Sequence, residues 1–510
     1  MRNHEETEEE GAPMLVRKSL RERAAARGRV WAAACGRLWA GARGRGEPAA
    51  VRGREPAAAS RRRRMATVVA VAAGLTAASV AIGPPDGPAP PARDDRSGRA
   101  ASVRTGDVAT AALTSRDLAR GIDGLQRHLK ARPKDAAGWA ALGAAYVEEA
   151  RVSGDPARYP RAQEAFARSL RLRPAGDNDA ALAGQAALAA ARHDFGAALR
   201  LADRALRVNP YGERALATRV DALVELGRYG DARRAVELAD RRRPGIPVFT
   251  RYAYVLELHG DVAGARRVLE RALDSAFGAG DRAYVATELG QLALGQGRFR
   301  EALRHYATAL RAEPGYVPAL EGRGRAHAGL GEAEAAVRDL EEAVRRGPLP
   351  GRLAALGELY EAAGRPEQAA RQYALVGTWT RLARANGVAT DLDAAVVEAD
   401  HGDAAAALAS ARSAWSRRQT VHTADALAWA LHANGRHKEA LLHAKTATAG
   451  SPGYRNASFL FHRGMIERAL GDDASARRHL RAALALNPGF SPVGAREARA
   501  VLGGPARGGS

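Results

Sequence analysis

From residue 136 to residue 490, small and large apolar positions alternate with polar ones in a phrase that the chain keeps rewriting. Its clearest copy is GRFREALRHYATALRAEPG, residues 297–315. A turn glycine (Gly297) comes first. A small residue (Ala302), an aromatic (Tyr306) and a second small residue (Ala309) then fall on one face of a helix, and Pro314 closes it. The first small residue recurs at Ala162, Ala198, Ala232, Ala265, Ala302, Ala336, Ala369, Ala407, Ala440 and Ala476, in steps of 33 to 38 residues. A period of that size, held over the whole stretch, predicts an all-α solenoid of about ten helix-turn-helix units. Each unit has one apolar face too many to stand alone and buries it on the next.

The letters within the period resemble the tetratricopeptide repeat. Residues 136–175 carry Trp139, Leu142, Gly143 and Tyr146, then Ala162, Phe166 and Pro174. Residues 283–316 carry Leu289, Gly290, Ala302, Tyr306, Ala309 and Pro314, and residues 350–376 carry Leu356, Gly357, Tyr360, Ala369 and Tyr373. Residues 457–490 carry Gly464, Ala476, Leu480, Ala483 and Pro488. The resemblance covers residues 136–490 and implies a right-handed α-solenoid superhelix. Small residues (Gly143, Gly290, Gly357, Ala162, Ala302, Ala369, Ala476) would let the paired helices approach, with Gly290 set against Ala302. Tyr306 and Leu289 would fill the space between units. Glycines such as Gly297 and Gly331 supply the positive φ after the first helix. Prolines 210, 244, 314, 348 and 488 stop the second. The sequence departs from the pattern in three places: Ala186 and Ala189 stand where the family prefers glycine and tyrosine, RVSGDPARYP extends the first unit, and an irregular connection with a kink is expected over 377–402, beginning at Trp379. Residues 114–135, with Thr114 as N-cap, and residues 491–510 supply helices expected to cap the two ends.

In this family the first helix of each unit lines a concave face that takes protein or peptide segments. The resemblance carries such contacts over to Thr250, Tyr254, Glu257, Tyr284, Thr287, Gln291, Glu321, Arg325, Asp425, Trp429 and His432. The lysine and asparagine set that reads C-terminal carboxylates in chaperone-binding relatives is missing from the first three repeats, which argues against that mode.

The front of the chain changes the picture of location. Arg61 to Arg64 precede a charge-free run of 19 residues, MATVVAVAAGLTAASVAIG, residues 65–83; PPDGPAPPARDDRSGR follows. Basic run, apolar run and polar linker in that order predict a membrane segment with its N-terminus cytoplasmic. Two readings stay open: a retained single-pass anchor, or a signal-peptide core with Ser79-Val80-Ala81 as cleavage site and a secreted product. Either places the repeats outside the cytoplasm. Residues 1–64 are expected to form a basic, unstructured tail, and residues 84–113 a Pro/Ala/Arg-rich linker. Met14 and Met65 are alternative starts.

Composition narrows the function. The net charge is +21, and 73 of the 78 basic residues are arginine. Residues 1–64 hold 16 Arg/Lys against 8 Glu, and the rest of the charge is spread thinly. An arginine bias of this kind fits a GC-rich bacterial genome and argues against a nucleic-acid stripe. The single Cys35 excludes an intramolecular disulfide and a cysteine metal cluster. No P-loop, H-E-x-x-H or G-x-S-x-G motif occurs, and GRGRAHAG, residues 322–329, has the wrong glycine spacing for a dinucleotide loop. His401, His422, His432, His437, His443, His462 and His479 crowd the C-terminal third without a ligand pattern. No catalytic residue, cofactor site or metal site is expected. The expected function is a non-enzymatic scaffold binding an unidentified protein or peptide, with the membrane met through residues 65–83. The alternative is an electrostatic binder of anionic polymer or membrane surface.

Overall fold

The computed structural model describes residues 115–503 except Pro452. The expected tail, membrane segment, linker and N-cap Thr114 lie outside the described residues. Within them the chain forms 22 α-helices and two single 3-10 turns, and contains no strand.

Helix α1 (Ser115–Ala131) precedes ten antiparallel pairs. The pairs are α2 (Ala136–Ser153) with α3 (Tyr159–Leu172), α4 (Asp179–Ala191) with α5 (Phe195–Val208), α6 (Glu213–Glu225) with α7 (Tyr229–Arg242), and α8 (Ile246–Leu258) with α9 (Val262–Asp274). They continue with α10 (Ala279–Gly295) and α11 (Phe299–Ala312), α12 (Val317–Gly329) and α13 (Ala333–Arg346), and α14 (Pro350–Ala362) and α15 (Pro366–Ala385). The last three are α16 (Asp391–His401) with α17 (Ala404–Arg417), α18 (Val421–Ala433) with α19 (His437–Ala449), and α20 (Ala457–Ala469) with α21 (Asp473–Leu486). Helix α22 (Gly494–Gly503) follows and sets Ala495 and Ala498 against Phe461 and Leu480. The architecture is an α-solenoid of tetratricopeptide-like repeats. No helix among the described residues is long and apolar enough to cross a membrane.

The recurring letters act as small-and-large inserts. Ala162, Ala302, Ala369 and Ala476 are all buried at the helix crossings. Gly290 faces the ring of Tyr306: a Cβ added at Gly290 would stand 2.5 Å from that ring. The same ring fills the space over Gly322 of the next unit. Phe166 lies in the same way between Gly143 and Gly184, and Tyr373 over Gly357. One aromatic thus keys two units together, and close packing at native density leaves no room for a methyl at the glycines.

Two expectations about irregular segments are corrected or refined. Trp379 does not begin an irregular connection: α15 runs through it to Ala385, and only residues 386–390 join α15 to α16. RVSGDPARYP is used for a longer α2, a left-handed Gly154 cap at φ 68° and a 3-10 turn over Pro156–Arg158.

The coil also returns upon itself. Arg418 pairs with Glu225, 193 residues away, and their side chains are only 8% and 9% exposed. The Val421 amide donates to the Tyr229 hydroxyl (3.0 Å), and Ser451 Oγ donates to the Leu258 carbonyl. Asn487 Nδ2 donates to the Leu294 carbonyl (2.9 Å). Earlier along the coil, the Ala389 amide donates to the Arg192 carbonyl (3.0 Å), and His193 Nδ1 meets the Ala389 carbonyl at 2.9 Å. Trp379 Nε1 donates to the Gly154 carbonyl (3.3 Å). The pattern is regular: the turn inside an early repeat meets a segment of the coil one turn further on. Positive-φ residues stand at these turns, including Gly227, Gly260, Gly297 and the one non-glycine case among the described residues, His193 at φ 61°.

Candidate binding cavity

The successive first helices α8, α10, α12 and α14 form one wall of a cavity of about 190 Å³ inside the coil. Counting back eleven residues from the anchors Ala265, Ala302, Ala336 and Ala369 gives Tyr254, Gln291, Arg325 and Glu358. All four line the cavity. One helical turn earlier, Thr250 and Glu321 also reach it, and Glu257 extends the stripe on α8. Glu288 joins them from the flank of α10. The opposite side belongs to the next turn of the coil: His422 from α18, Tyr454 to Ser458 from the approach to α20, and Asn487, Gly489, Phe490 and Pro492. The hydrogen bonds from Ser451 and Asn487 to the early repeats hold that side in place.

The electrostatics of the wall are uneven. Glu321 Oε2 accepts from Arg352 Nε at 2.9 Å, and Glu321 Oε1 from Arg325 at 3.1 Å. Burial alone would raise its pKa, but the two guanidinium groups hold it below the ordinary glutamate range. Glu257, Glu288 and Glu358 form no direct ion pair among the described residues, but the Arg251 charge opposes the rise at Glu288 and the Arg325 charge opposes it at Glu358. Burial pushes Glu257 up to about 7. Burial and the neighbouring Glu257 charge push Glu288 up to about 7 as well. Glu358, 6% exposed, is driven well up by burial, against the opposing field of Arg325. Burial and the Arg418 charge press His422 down to about 4, so it is neutral near pH 7. The wall therefore holds three carboxyl groups that burial pushes toward the neutral acid, against only partial opposition from Arg251 and Arg325.

The residues carried over by the family resemblance divide into two groups. Thr250, Tyr254, Glu257, Gln291, Glu321 and Arg325 meet at the cavity. Tyr284 stands behind them, its hydroxyl donating to Thr250 Oγ1 at 3.3 Å. Thr287 is buried and turned back to the Ala283 carbonyl of its own helix (2.7 Å). Trp429 is buried elsewhere, its Nε1 donating to Asp400 Oδ1 at 2.7 Å, and it is stacked on His462 and His432. Asp425 is buried against His462 Nδ1 at 2.9 Å. The C-terminal histidines divide: His432 and His437 have ring centroids 4.7 Å apart, and His432 and His462 both stack on Trp429, whereas His401 stacks on Tyr373, His443 packs edge-on to Trp415, and His479 meets Glu467 at 2.6 Å. Among the described residues no group of three His, Cys, Asp or Glu side chains is placed to hold a metal ion.

Sequence reasoning passed over Glu288 and Glu358. The signal for Glu358 was present, since it holds the same repeat position as Tyr254, Gln291 and Arg325 one unit later. Glu288 follows Thr287 by one residue and carries no such signal. The residues of the far side, Tyr454 to Pro492, have no local signature at all.

A match to a family model supports the repeat. A tetratricopeptide repeat family model matches residues 287–351 and 426–489. No curated protein matches the chain. Among solved structures, the Cut9–Hcn1 hetero-tetramer of the APC/C is similar at 12% identity, covering 76% of this chain and 93% of that one, with a TM-score of 0.36. The human IFIT1 dimer with m7Gppp-AAAA is similar at 15% identity, covering 72% and 86%, with a TM-score of 0.42. A tetratricopeptide repeat protein from Parabacteroides merdae ATCC 43184 is similar at 19% identity, covering 50% and 97%, with a TM-score of 0.31. These likenesses concern the fold alone.

Proposed function

We propose that this chain is a non-enzymatic scaffold that takes a segment of a partner protein or peptide into the cavity on the inner face of its coil, outside the cytoplasmic membrane. The observation that carries the reading is the convergence of polar side chains from four successive repeats on one partly open cavity. Polar groups placed among apolar ones give a recognition pocket its orientation and specificity. Tyr254 adds a rigid aromatic contact of the kind that anchors interfaces. The surface arginines favour this reading over electrostatic binding to a polymer. Many sit beside carboxylates on their own helix, as in Arg228–Asp231–Arg234 and Arg266–Glu270, so their charge is answered locally. The extracytoplasmic location rests on the Arg61–Arg64 and 65–83 pattern.

The test is affinity capture from the envelope of the producing cell with the full chain as bait, beside a Tyr254→Ala/Gln291→Ala bait, at 50 and 200 mM salt. A discrete protein kept at high salt by the unaltered bait and lost by the variant is the expected result. Capture that disappears with salt and ignores the substitutions refutes the cavity reading, because phosphate- or lipid-driven binding falls steeply over that range.

A further inference from the structure

We propose that Trp429 and the three histidines around it, His432, His437 and His462, form an acid-sensitive joint, which holds the last three repeats in register near neutral pH and loosens as the medium turns acidic. The joint belongs to the frame that carries the far side of the cavity, and it does not depend on what the cavity holds.

Trp429 links the first helices of three successive repeats. Its ring lies against His432 of α18, with centroids 4.9 Å apart, and against His462 of α20, at 4.3 Å. Its Nε1 donates to Asp400 Oδ1 of α16 at 2.7 Å. His437, the first residue of α19, brings another imidazole to 4.7 Å from that of His432. Each of the three histidines keeps one ring nitrogen buried without a partner: Nδ1 of His432, Nδ1 of His437 and Nε2 of His462. In a neutral imidazole such a nitrogen can remain a bare lone pair. An imidazolium carries a proton on both nitrogens, so charging any of these rings places an N–H where nothing accepts it, at the cost of a buried unsatisfied donor. A second cost is electrostatic, because two rings as close as His432 and His437 resist being charged together.

The surroundings of His432 relieve neither cost. The charges that reach it come from His437 on α19 and His462 on α20, and both oppose its protonation; among the described residues α16 and α17 send none. The carboxylates of the neighbourhood are engaged with other partners, Asp425 with His462 Nδ1 at 2.9 Å and Asp400 with the Trp429 indole. Burial first, and then the two neighbouring rings, press His432 from 6.5 down to about 4. A histidine lowered in this way contributes stability that is complete above the unfolded value of 6.5 and is lost as pH falls from there through about 4. Between pH 7.5 and 5.0 His432 alone should raise the open population of the joint roughly 25-fold.

Amide hydrogen exchange on the full chain at pH 7.5 and 5.0 tests the joint, with rates expressed as protection factors so that the intrinsic pH dependence of exchange is removed. Protection of residues 429–433 and 459–466 is expected to fall about tenfold or more at pH 5.0, while that of α4, near the other end of the array, changes less than about threefold. In His432→Gln, whose side chain cannot take the charge, the fall at residues 429–433 and 459–466 should shrink to less than about threefold. His432→Phe, which keeps a ring against Trp429, gives the same comparison if the glutamine variant does not fold. Unchanged protection at residues 429–433 in the unaltered chain, an equal fall in α4, or a fall in the folded variants as large as in the unaltered chain would overturn the proposal.

Discussion

Replacing Gly260 by alanine asks directly whether the coil is held closed by contact between its turns. Gly260 has φ 79°, and Gly331, at the same place two repeats later, has φ 80°. An added methyl meets the same unfavourable backbone region at both sites, about 1–2 kcal/mol. Both gain back about 0.4–1 kcal/mol from the reduced freedom of the unfolded chain. Their surroundings differ. At Gly331 nothing lies within 4 Å of the new Cβ, whereas at Gly260 it would stand 2.6 Å from the carbonyl carbon and oxygen of Gly453 and 2.7 Å from its Cα. Those atoms are backbone and cannot rotate away, so the turns must separate or absorb an overpacking cost of about 1–3 kcal/mol. Gly331→Ala should therefore cost about 1 kcal/mol and Gly260→Ala roughly 2–4 kcal/mol. Urea denaturation gives the ranking. Amide hydrogen exchange of residues 453–460 gives the location, since protection there should fall in Gly260→Ala and not in Gly331→Ala. Small-angle scattering should show a longer particle for Gly260→Ala. Equal losses of stability, with unchanged exchange at residues 453–460, would refute the idea that contact between turns maintains the coil.

Two further outcomes are expected. Arg418→Ala leaves Glu225 buried without its cation and should cost about 3–5 kcal/mol in thermal or urea denaturation, whereas Arg418→Met/Glu225→Met should recover most of that loss; a double variant no better than the single would show that the pair is not acting as a unit. Glu257 and Glu288 both titrate higher in the folded protein, near 7, than in the unfolded chain, near 4.5. Their contribution to stability is complete below the unfolded value and is lost as pH rises through about 7. Glu321, Arg325 and Glu358 face them from α12 and α14, with neutral His422, Tyr454 and Arg455 from the next turn. A pH series of melting temperatures should thus fall less steeply from pH 5 to 8 in Glu257→Gln/Glu288→Gln than in the unaltered chain, and parallel curves would refute the assignment.

The sequence by itself determined the repeat. The steps of 33 to 38 residues, the glycines after each first helix and the prolines after each second one follow from local rules, and these rules act on a handful of neighbouring residues. Ten helix pairs and the burial of Ala162, Ala302, Ala369 and Ala476 were legible for that reason. The aromatic keys were legible only in part. Gly290 was evidently a close-packing site, but that the Tyr306 ring lies against it depends on how α10 and α11 pack. Trp379 misled, because its break from the repeat pattern reads as a loop, while α15 simply runs longer and uses the indole to reach Gly154 one turn back. Tertiary structure alone decided that the coil closes on itself. The rotation from one repeat to the next is a small quantity, and it accumulates over 193 residues before Arg418 meets Glu225. No local pattern encodes that sum. The cavity follows from it: Tyr254, Gln291, Arg325 and Glu358 could be placed on one face from their repeat position, but Tyr454, Asn487 and Phe490 come to cover them only because the next turn arrives there. That covering adds to the burial that raises the pKa of Glu257, Glu288 and Glu358.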